Sequence, residues 1–303
     1  MDRKRFHGAF TALITPFTSD GIDETAYKKL IEWQIARGIH GLVPCGTTGE
    51  TPTMTEEEHL RAMEICVQTA AKRVPVIAGT GSNCTREAVN MTRHAATIGA
   101  DAALVVTPYY NKPTAKGIYL HYKAITESAD IPIILYNIAG RTGRNIEPDL
   151  MAELAGIKNI IGVKEASGNP EQMKKIREVC PKDFLLISGD DAMTLPILKM
   201  GGVGIISVAS NIVPGDVVEL VNAFNAGNRD RAAAVNAKLL PLIEALFIET
   251  NPVPVKTAAA LMGLCSDTMR LPMCAMEGTN LAKLKQALKT YGLPFGAAFR
   301  NPN

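Results

Sequence analysis

Residues 160–165 read Ile160-Ile161-Gly162-Val163-Lys164-Glu165, an uncharged run closed by a lysine and a glutamate. Its apolar residues stand at consecutive positions rather than alternating, the pattern of a parallel strand covered on both faces. Seven more short apolar runs, most of them with this texture, stand at 10–14, 41–44, 74–78, 103–106, 131–136, 184–188 and 203–208, and the quoted stretch supplies 160–163. Their starts lie roughly 20 to 35 residues apart, room for one helix and two loops per interval.

The intervals carry helix signals. Thr55-Glu56-Glu57-Glu58 has capping-box spacing ahead of Leu60, Met63 and Val67. Thr85 is expected to cap a helix whose Ala88, Met91, Ala95 and Ile98 share a face, with Gly99 beyond its end. Asp23 is placed to start the first helix, with Leu30 and Trp33 inward and Gly38 stopping it. Eight strands alternating with helices predict an α/β chain of the (β/α)8 TIM-barrel class. A doubly wound sheet fits less well, because the first strand runs into Thr15-Pro16-Phe17 with no Gly-rich turn. After Ile212 the strand-like runs stop, and Ala/Leu-rich helical segments follow at 216–226, 229–248, 255–262 and 281–290. The expected division is a catalytic barrel over 1–226 and a C-terminal helical region over 227–303, packed as one unit. The ending after Gly292 (LPFGAAFRNPN) reads equally as an ordered turn or a loose tail.

Composition narrows the function classes. With 303 residues, 47% of them hydrophobic, the chain can bury a sizeable core. Lys+Arg 32 against Asp+Glu 30 leaves +2 and no basic run, which argues against nucleic-acid binding. No stretch approaches the ~20 uninterrupted apolar residues of a membrane span. The basic opening Met1-Asp2-Arg3-Lys4-Arg5 precedes a short apolar segment broken by Thr15 and Pro16, unlike a secretory leader. Six scattered cysteines without a C-x-x-C read as reduced thiols in a cytoplasmic protein. None of this separates an enzyme from a binder.

Barrel chemistry sits at the carboxyl ends of the strands. There the sequence places Gly46-Thr47-Thr48-Gly49-Glu50, Thr107-Pro108-Tyr109-Tyr110, Tyr136-Asn137 with Arg141 beyond, Lys164-Glu165, Ser188-Gly189-Asp190-Asp191, and Ser207. Lys164 closes a barrel-wall run, so it should face the mouth partly desolvated. Desolvation penalises an ammonium and favours the free amine that attacks carbonyl carbon. An ion pair with a neighbour such as Glu165 is an equally open reading. Tyr136, on an adjacent strand, could move protons for such chemistry, with Thr47 and Tyr110 extending the relay; packing is the commoner role of a tyrosine. Arg141 could grip a carboxylate bidentately or make a surface salt bridge.

Other signals are weaker. The segment 79–84 lacks the last glycine of a dinucleotide fingerprint and reads as a turn. Glycines 201, 202 and 204 suit close packing. The histidines at 7, 40, 59, 94 and 121 form no metal-ligand spacing, so no metal is expected. Asp190-Asp191 could hold Mg²⁺ or cap the helix that follows. Cys45 reads as a small barrel residue.

Several of these motifs together resemble the dihydrodipicolinate synthase branch of the pyruvate-dependent class I aldolase family. They are Gly46-Thr47-Thr48-Gly49-Glu50, 107–110, Tyr136-Asn137 with Arg141-Thr142-Gly143, 162–168 and Asn251-Pro252-Val253-Pro254-Val255-Lys256. The match runs from about Gly8 to Gly292, with the motifs in family order. The resemblance implies that Lys164 forms a Schiff base with pyruvate, whose enamine attacks L-aspartate 4-semialdehyde before cyclisation. It implies a relay of Thr47, Tyr136 and Tyr110, the last reaching in from a neighbouring subunit. Thr48 would hold the pyruvate carboxylate and Arg141 the semialdehyde carboxylate, with Gly189 and Ile206 completing the substrate-binding set. It implies no metal or organic cofactor and a homotetramer built as a dimer of dimers.

The Thr47-Thr48 pair and Arg141-Thr142-Gly143 favour this branch over sialic acid lyases, which resemble Gly-Ser-Thr-Gly-Glu at strand two and lack the Arg-Thr-Gly. A keto-deoxy-sugar acid or hydroxy-oxoglutarate aldolase is the alternative enzyme, and a catalytically silent carboxylate-binding barrel the non-enzyme alternative. Ala139 stands where the family commonly has proline, which should loosen the Arg141 loop. An L-lysine effector site would comprise Glu56, His59, Asn83, Glu87 and Tyr109. Sensitive members often have histidine where this chain has Glu56, which leaves regulation open.

Overall fold

The computed structural model describes residues 2–294, and in it all eight expected strands form. They are β1 (Gly8–Ala12), β2 (Gly41–Val43), β3 (Ile77–Gly79), β4 (Ala102–Val106), β5 (Ile133–Asn137), β6 (Ile160–Glu165), β7 (Leu185–Ser188) and β8 (Gly204–Ser207). All pair in parallel in the order 2-1-8-7-6-5-4-3. A parallel bridge between Leu42 and Val76 joins β2 to the start of β3 and closes the ring. The fold is a (β/α)8 barrel.

Its helices are α1 (Glu24–Ala36), α2 (Glu56–Ala70), α3 (Thr85–Thr97), α4 (Ala115–Thr126), α5 (Pro148–Ala155), α6 (Pro170–Val179), α7 (Thr194–Lys199) and α8 (Pro214–Asn225). Then follow α9 (Arg229–Leu246), α10 (Val253–Leu261) and α11 (Gly278–Tyr291). Asp23 caps α1 by accepting from the Ala26 N–H, and Thr55 with Glu58 forms both halves of the capping box at α2. Thr85 does not cap α3. The cap residue is Cys84, while the Thr85 hydroxyl is 3.0 Å from His121 Nδ1. An unforeseen hairpin, Phe17–Thr18 with Gly21–Ile22, precedes α1. Of the segment after Gly292, residues 295–303 lie outside the described residues.

There are two apolar layers. One fills the barrel with Phe10, Val43, Leu104, Ile134, Ile161 and Ile206, and the other lies between sheet and helices. Leu239 and Leu242 of α9, Val255 of α10 and Leu284 and Leu288 of α11 belong to that outer layer, so these helices pack on the barrel without a separate core.

The direction of Lys164 depends on an irregularity. Across β5 and β6, Ile133 faces Ile160, yet Ile134 faces Gly162, leaving Ile161 as an extra residue. Strict alternation would put Ile161 and Val163 on one face and Lys164 on the other. Instead Ile161 packs inside the barrel and Val163 in the outer layer. The bulge reverses the phase, so Lys164 faces in and pairs in register with Tyr136. Gly162 permits it, since a Cβ there would lie 2.5 Å from Leu185 Cβ and 2.6 Å from its carbonyl oxygen. Gly162→Ala must push β6 from β7 and will cost about 1–3 kcal/mol, measurable by denaturant unfolding. Unchanged stability would mean that the strands yield freely.

Candidate active site

The Lys164 side chain is 6% exposed, and its Nζ lies 4.2 Å from the centre of the Tyr136 ring. It makes no ion pair among the described residues. Glu165 takes the opposite face of β6, where its carboxylate accepts from Asn137 Nδ2 at 3.0 Å and from the Ser167 N–H at 2.7 Å. Burial raises that carboxyl's pKa, opposed by these donors. The Lys164–Glu165 pair left open by the sequence is therefore not formed. Gly189, at the end of β7, gives the lysine stem its room, because a Cβ there would sit 3.0 Å from Lys164 Cγ and 3.1 Å from Cε.

The loop after β2 makes two tight turns, Thr47–Gly49 and Thr51–Thr53, of which the first carries the candidate residues. Cys45 and Glu50 flank that first turn, both in the left-handed region at φ 58°. Thr48 is buried, and its hydroxyl accepts from Asn251 Nδ2 at 3.1 Å. Arg141 sits on the single helical turn Ala139–Thr142 after β5 and donates to the Asn251 carbonyl at 3.0 Å. The Thr142 hydroxyl donates to the carbonyls of Ile138 and Arg144, closing that turn without the missing proline. Asn251 thus ties together the two groups expected to hold carboxylates. The sequence offered no local sign of this link, only the motif beginning at Asn251.

A cavity of about 480 Å³ opens beside these groups. Thr47, Tyr136 and Arg141 line it, and so do Glu56, His59, Glu87 and Tyr109 of the candidate effector set. Asn83 is off its wall and donates to the Tyr109 carbonyl at 3.2 Å. Lys164, with its Nζ over the Tyr136 ring, is not itself on the wall, nor are Thr48 and Gly189. The Ile206 side chain is part of the barrel filling. Tyr110 does not enter the cavity of its own chain; it is 89% exposed and held at φ 66°. Ser82, which the sequence reading passed over, also lines the cavity and donates to Glu87 at 2.7 Å. The 79–84 segment runs close to its neighbours, since a Cβ on Gly79 would meet the Cys45 carbonyl oxygen at 2.0 Å.

Burial lowers the His59 pKa, and its Nε2 lies 2.7 Å from the Gly79 carbonyl oxygen, as a neutral imidazole donating there requires. Asp191 is spoken for. It accepts from the Ser207 hydroxyl and, at 2.8 Å, from the Val208 N–H, while Asp190 caps its own turn through the Ala192 N–H. The capping reading holds for Asp190 alone, and on the short turn Asp191–Met193 rather than on α7, which has no side-chain cap. No group of three or more His, Cys, Asp or Glu among the described residues is placed to hold a metal ion. No helix among them is long and apolar enough to cross a membrane.

Beside the Thr47 turn, Arg270 grips Glu58 at 2.6 and 2.5 Å. The guanidinium, with help from Thr55, holds the Glu58 carboxyl below its usual range. Stabilisation of this sign is complete above the unfolded-state value of about 4.3 and is lost as pH falls through the lower folded-state value. Glu58→Gln keeps the capping box and will cost about 1 kcal/mol near neutrality. That deficit will vanish in acid below the folded-state value, as melts from neutral to acidic pH can show.

Comparison with known proteins agrees with this geometry. Residues 5–291 match the dihydrodipicolinate synthetase family. A relative from Endomicrobium trichonymphae, named 4-hydroxy-tetrahydrodipicolinate synthase, is 56% identical over 289 residues, covering 95% of this chain and 99% of its own. The chloride-inhibited dihydrodipicolinate synthase of Acinetobacter baumannii, solved in complex with pyruvate, superposes with a TM-score of 0.93 at 42% identity, covering 95% of this chain and 99% of its own. A dihydrodipicolinate synthase from Cyanidioschyzon merolae with lysine bound gives 0.92 at 39% identity, covering 96% and 99%. The chain belongs to the dihydrodipicolinate synthetase family.

Proposed function

We propose that this chain condenses pyruvate with L-aspartate 4-semialdehyde to 4-hydroxy-tetrahydrodipicolinate through a Schiff base on Lys164. The observation that carries the reading is an inward lysine, buried at the barrel mouth on Tyr136 and without a carboxylate partner among the described residues. The Lys164 amine adds to the pyruvate ketone, and the carbinolamine loses water to form an imine. A methyl proton then leaves, giving an enamine whose carbon bonds to the semialdehyde aldehyde carbon as its oxygen takes up a proton. The substrate's own amine next attacks the imine carbon, closes the ring and expels Lys164 as free amine. One water is released overall. The imine is the electron sink, so the sequence of steps needs no cofactor.

Thr47 and Tyr136 line one cavity, which suits the relay of protons these steps require. Tyr110 is exposed, which leaves it free to complete the relay in another copy, and the homotetramer of paired dimers is proposed from the family resemblance. Thr48 is read as the pyruvate carboxylate contact, Arg141 as the semialdehyde contact, and Gly189 and Ile206 as part of the pocket. In the division proposed here, 1–226 supply the groups that carry the chemistry, and 227–303 serve assembly besides contributing Asn251 against Thr48 and Arg141. The six cysteines are all unpaired, in keeping with a cytoplasmic site of action. L-Lysine is the proposed effector: Glu56 and Glu87 would face its ammonium groups, as the lysine-bound relative encourages.

The test is a coupled assay with pyruvate and aspartate semialdehyde, run with and without L-lysine. Consumption of both substrates is expected. A pyruvate adduct without semialdehyde turnover would move the chain to a sister aldolase.

A further inference from the structure

The buried Lys256–Glu50 ion pair lies outside the cavity wall, and the chemistry described above does not use it. Lys256 Nζ is 2.6 Å from Glu50 Oε1, and the two side chains are 0% and 1% exposed. Replacing such a pair by apolar residues is often neutral or stabilising, so stability alone does not account for it. What it touches suggests another use.

Glu50 closes the turn that carries Thr47 and Thr48, and it does so in the left-handed region at φ 58°. A non-glycine residue holds that conformation when its surroundings impose it. Here they do: Lys256 takes one carboxylate oxygen, and the Arg270 N–H reaches the other at 3.4 Å. Lys256 and Arg270 both lie over the Phe17 ring, at 4.3 and 4.1 Å, which fixes them against the hairpin after β1. Arg270 also donates to the Thr53 carbonyl at 3.1 Å. Asn251, in the motif that ends at Lys256, reaches Thr48 from the same side.

We infer that Lys256 and Glu50 are positioning residues: their ion pair clamps the Thr47–Gly49 turn from the C-terminal region and so sets pyruvate binding without touching substrate. The inference rests on the reading that Thr47 and Thr48 serve pyruvate at Lys164.

Four variants test it. Lys256→Met and Glu50→Gln each strand one buried partner, and each will melt earlier than wild type. The double variant Glu50→Gln/Lys256→Met carries no stranded charge, so its Tm will recover. Its KM for pyruvate will nonetheless stay raised about tenfold or more, because small displacements of a binding group are costly. Recovery of Tm together with a pyruvate KM within about twofold of wild type would overturn the clamp and leave a purely structural pair. Should the double variant not fold, Glu50→Asp keeps both charges while drawing the carboxylate back. A raised pyruvate KM in that folded protein supports the clamp, and an unchanged one overturns it. Wild-type enzyme that neither traps pyruvate nor turns over would instead remove the underlying catalytic reading.

Discussion

Lys164→Ala will fold with nearly wild-type stability and turn over pyruvate and aspartate semialdehyde at least about 10⁴-fold more slowly, the scale seen when a covalent nucleophile is removed. Stability survives because the lysine pairs with no carboxylate among the described residues, so none of these is stranded; Glu165 keeps its bonds from Asn137 and Ser167 on the other face of β6. Activity does not, because no other amine is placed beside Tyr136 among the described residues: Lys256, the other buried lysine named here, is bound to Glu50. Lys164→Arg sharpens the experiment. Arginine keeps the positive charge but does not deprotonate in proteins, so it offers charge without a nucleophile. If turnover were lost in Ala and retained in Arg, the lysine would be an electrostatic anchor for anionic substrate. Loss in both is the expected result, read in steady-state assays alongside thermal melts.

Tyr136→Phe will lower kcat about 10²- to 10³-fold with little change in the KM for pyruvate. The substitution keeps the ring that lies 4.2 Å from Lys164 Nζ, so the lysine's packing is preserved and the hydroxyl alone is lost. Protons must move during carbinolamine dehydration, at enamine formation and at the new alkoxide, and in the proposed mechanism the Tyr136 phenol serves these steps. The pyruvate imine will therefore still form, more slowly, and quenched-flow trapping of the adduct separates this slowing from loss of binding. A kcat within about twofold of wild type would assign the proton transfers to Thr47 or to solvent.

The legible part of this protein was what short-range pattern records. Parallel strands covered on both faces favour apolar residues at consecutive positions, and short apolar runs recurring at βαβ spacing located all eight, the first of them two residues late at its start because it spans Gly8–Ala12. β3 begins at Ile77 rather than 74 because Pro75 has no N–H for a ladder, and the Val76 N–H donates to Asp101 instead. The capping box at Thr55 was legible because its partners are three residues apart. Thr85 misled because its hydroxyl answers to His121, which is 36 positions away.

The site was legible as a set of residue types at strand ends, and less so as geometry. Whether Lys164 faces in or out depends on a one-residue bulge, and a bulge is a relation between two strands that neither shows alone. The Thr48–Asn251 and Glu50–Lys256 contacts join positions 203 and 206 residues apart, beyond any local pattern. They could be suspected only because the motif at 251–256 accompanies the others in the family. The shared cavity of Thr47, Tyr136 and Arg141 with Glu56, His59 and Glu87 was likewise invisible, since the sequence assigned these residues to two separate sites.

The central claim is that Lys164 carries pyruvate as an imine. Borohydride added to the enzyme with pyruvate, followed by peptide mapping by mass spectrometry, tests it most directly. One reduced pyruvate adduct per chain is expected, on the peptide containing Lys164, dependent on pyruvate and accompanied by loss of activity. An adduct on another lysine, or full activity after treatment with no adduct at Lys164, would contradict it.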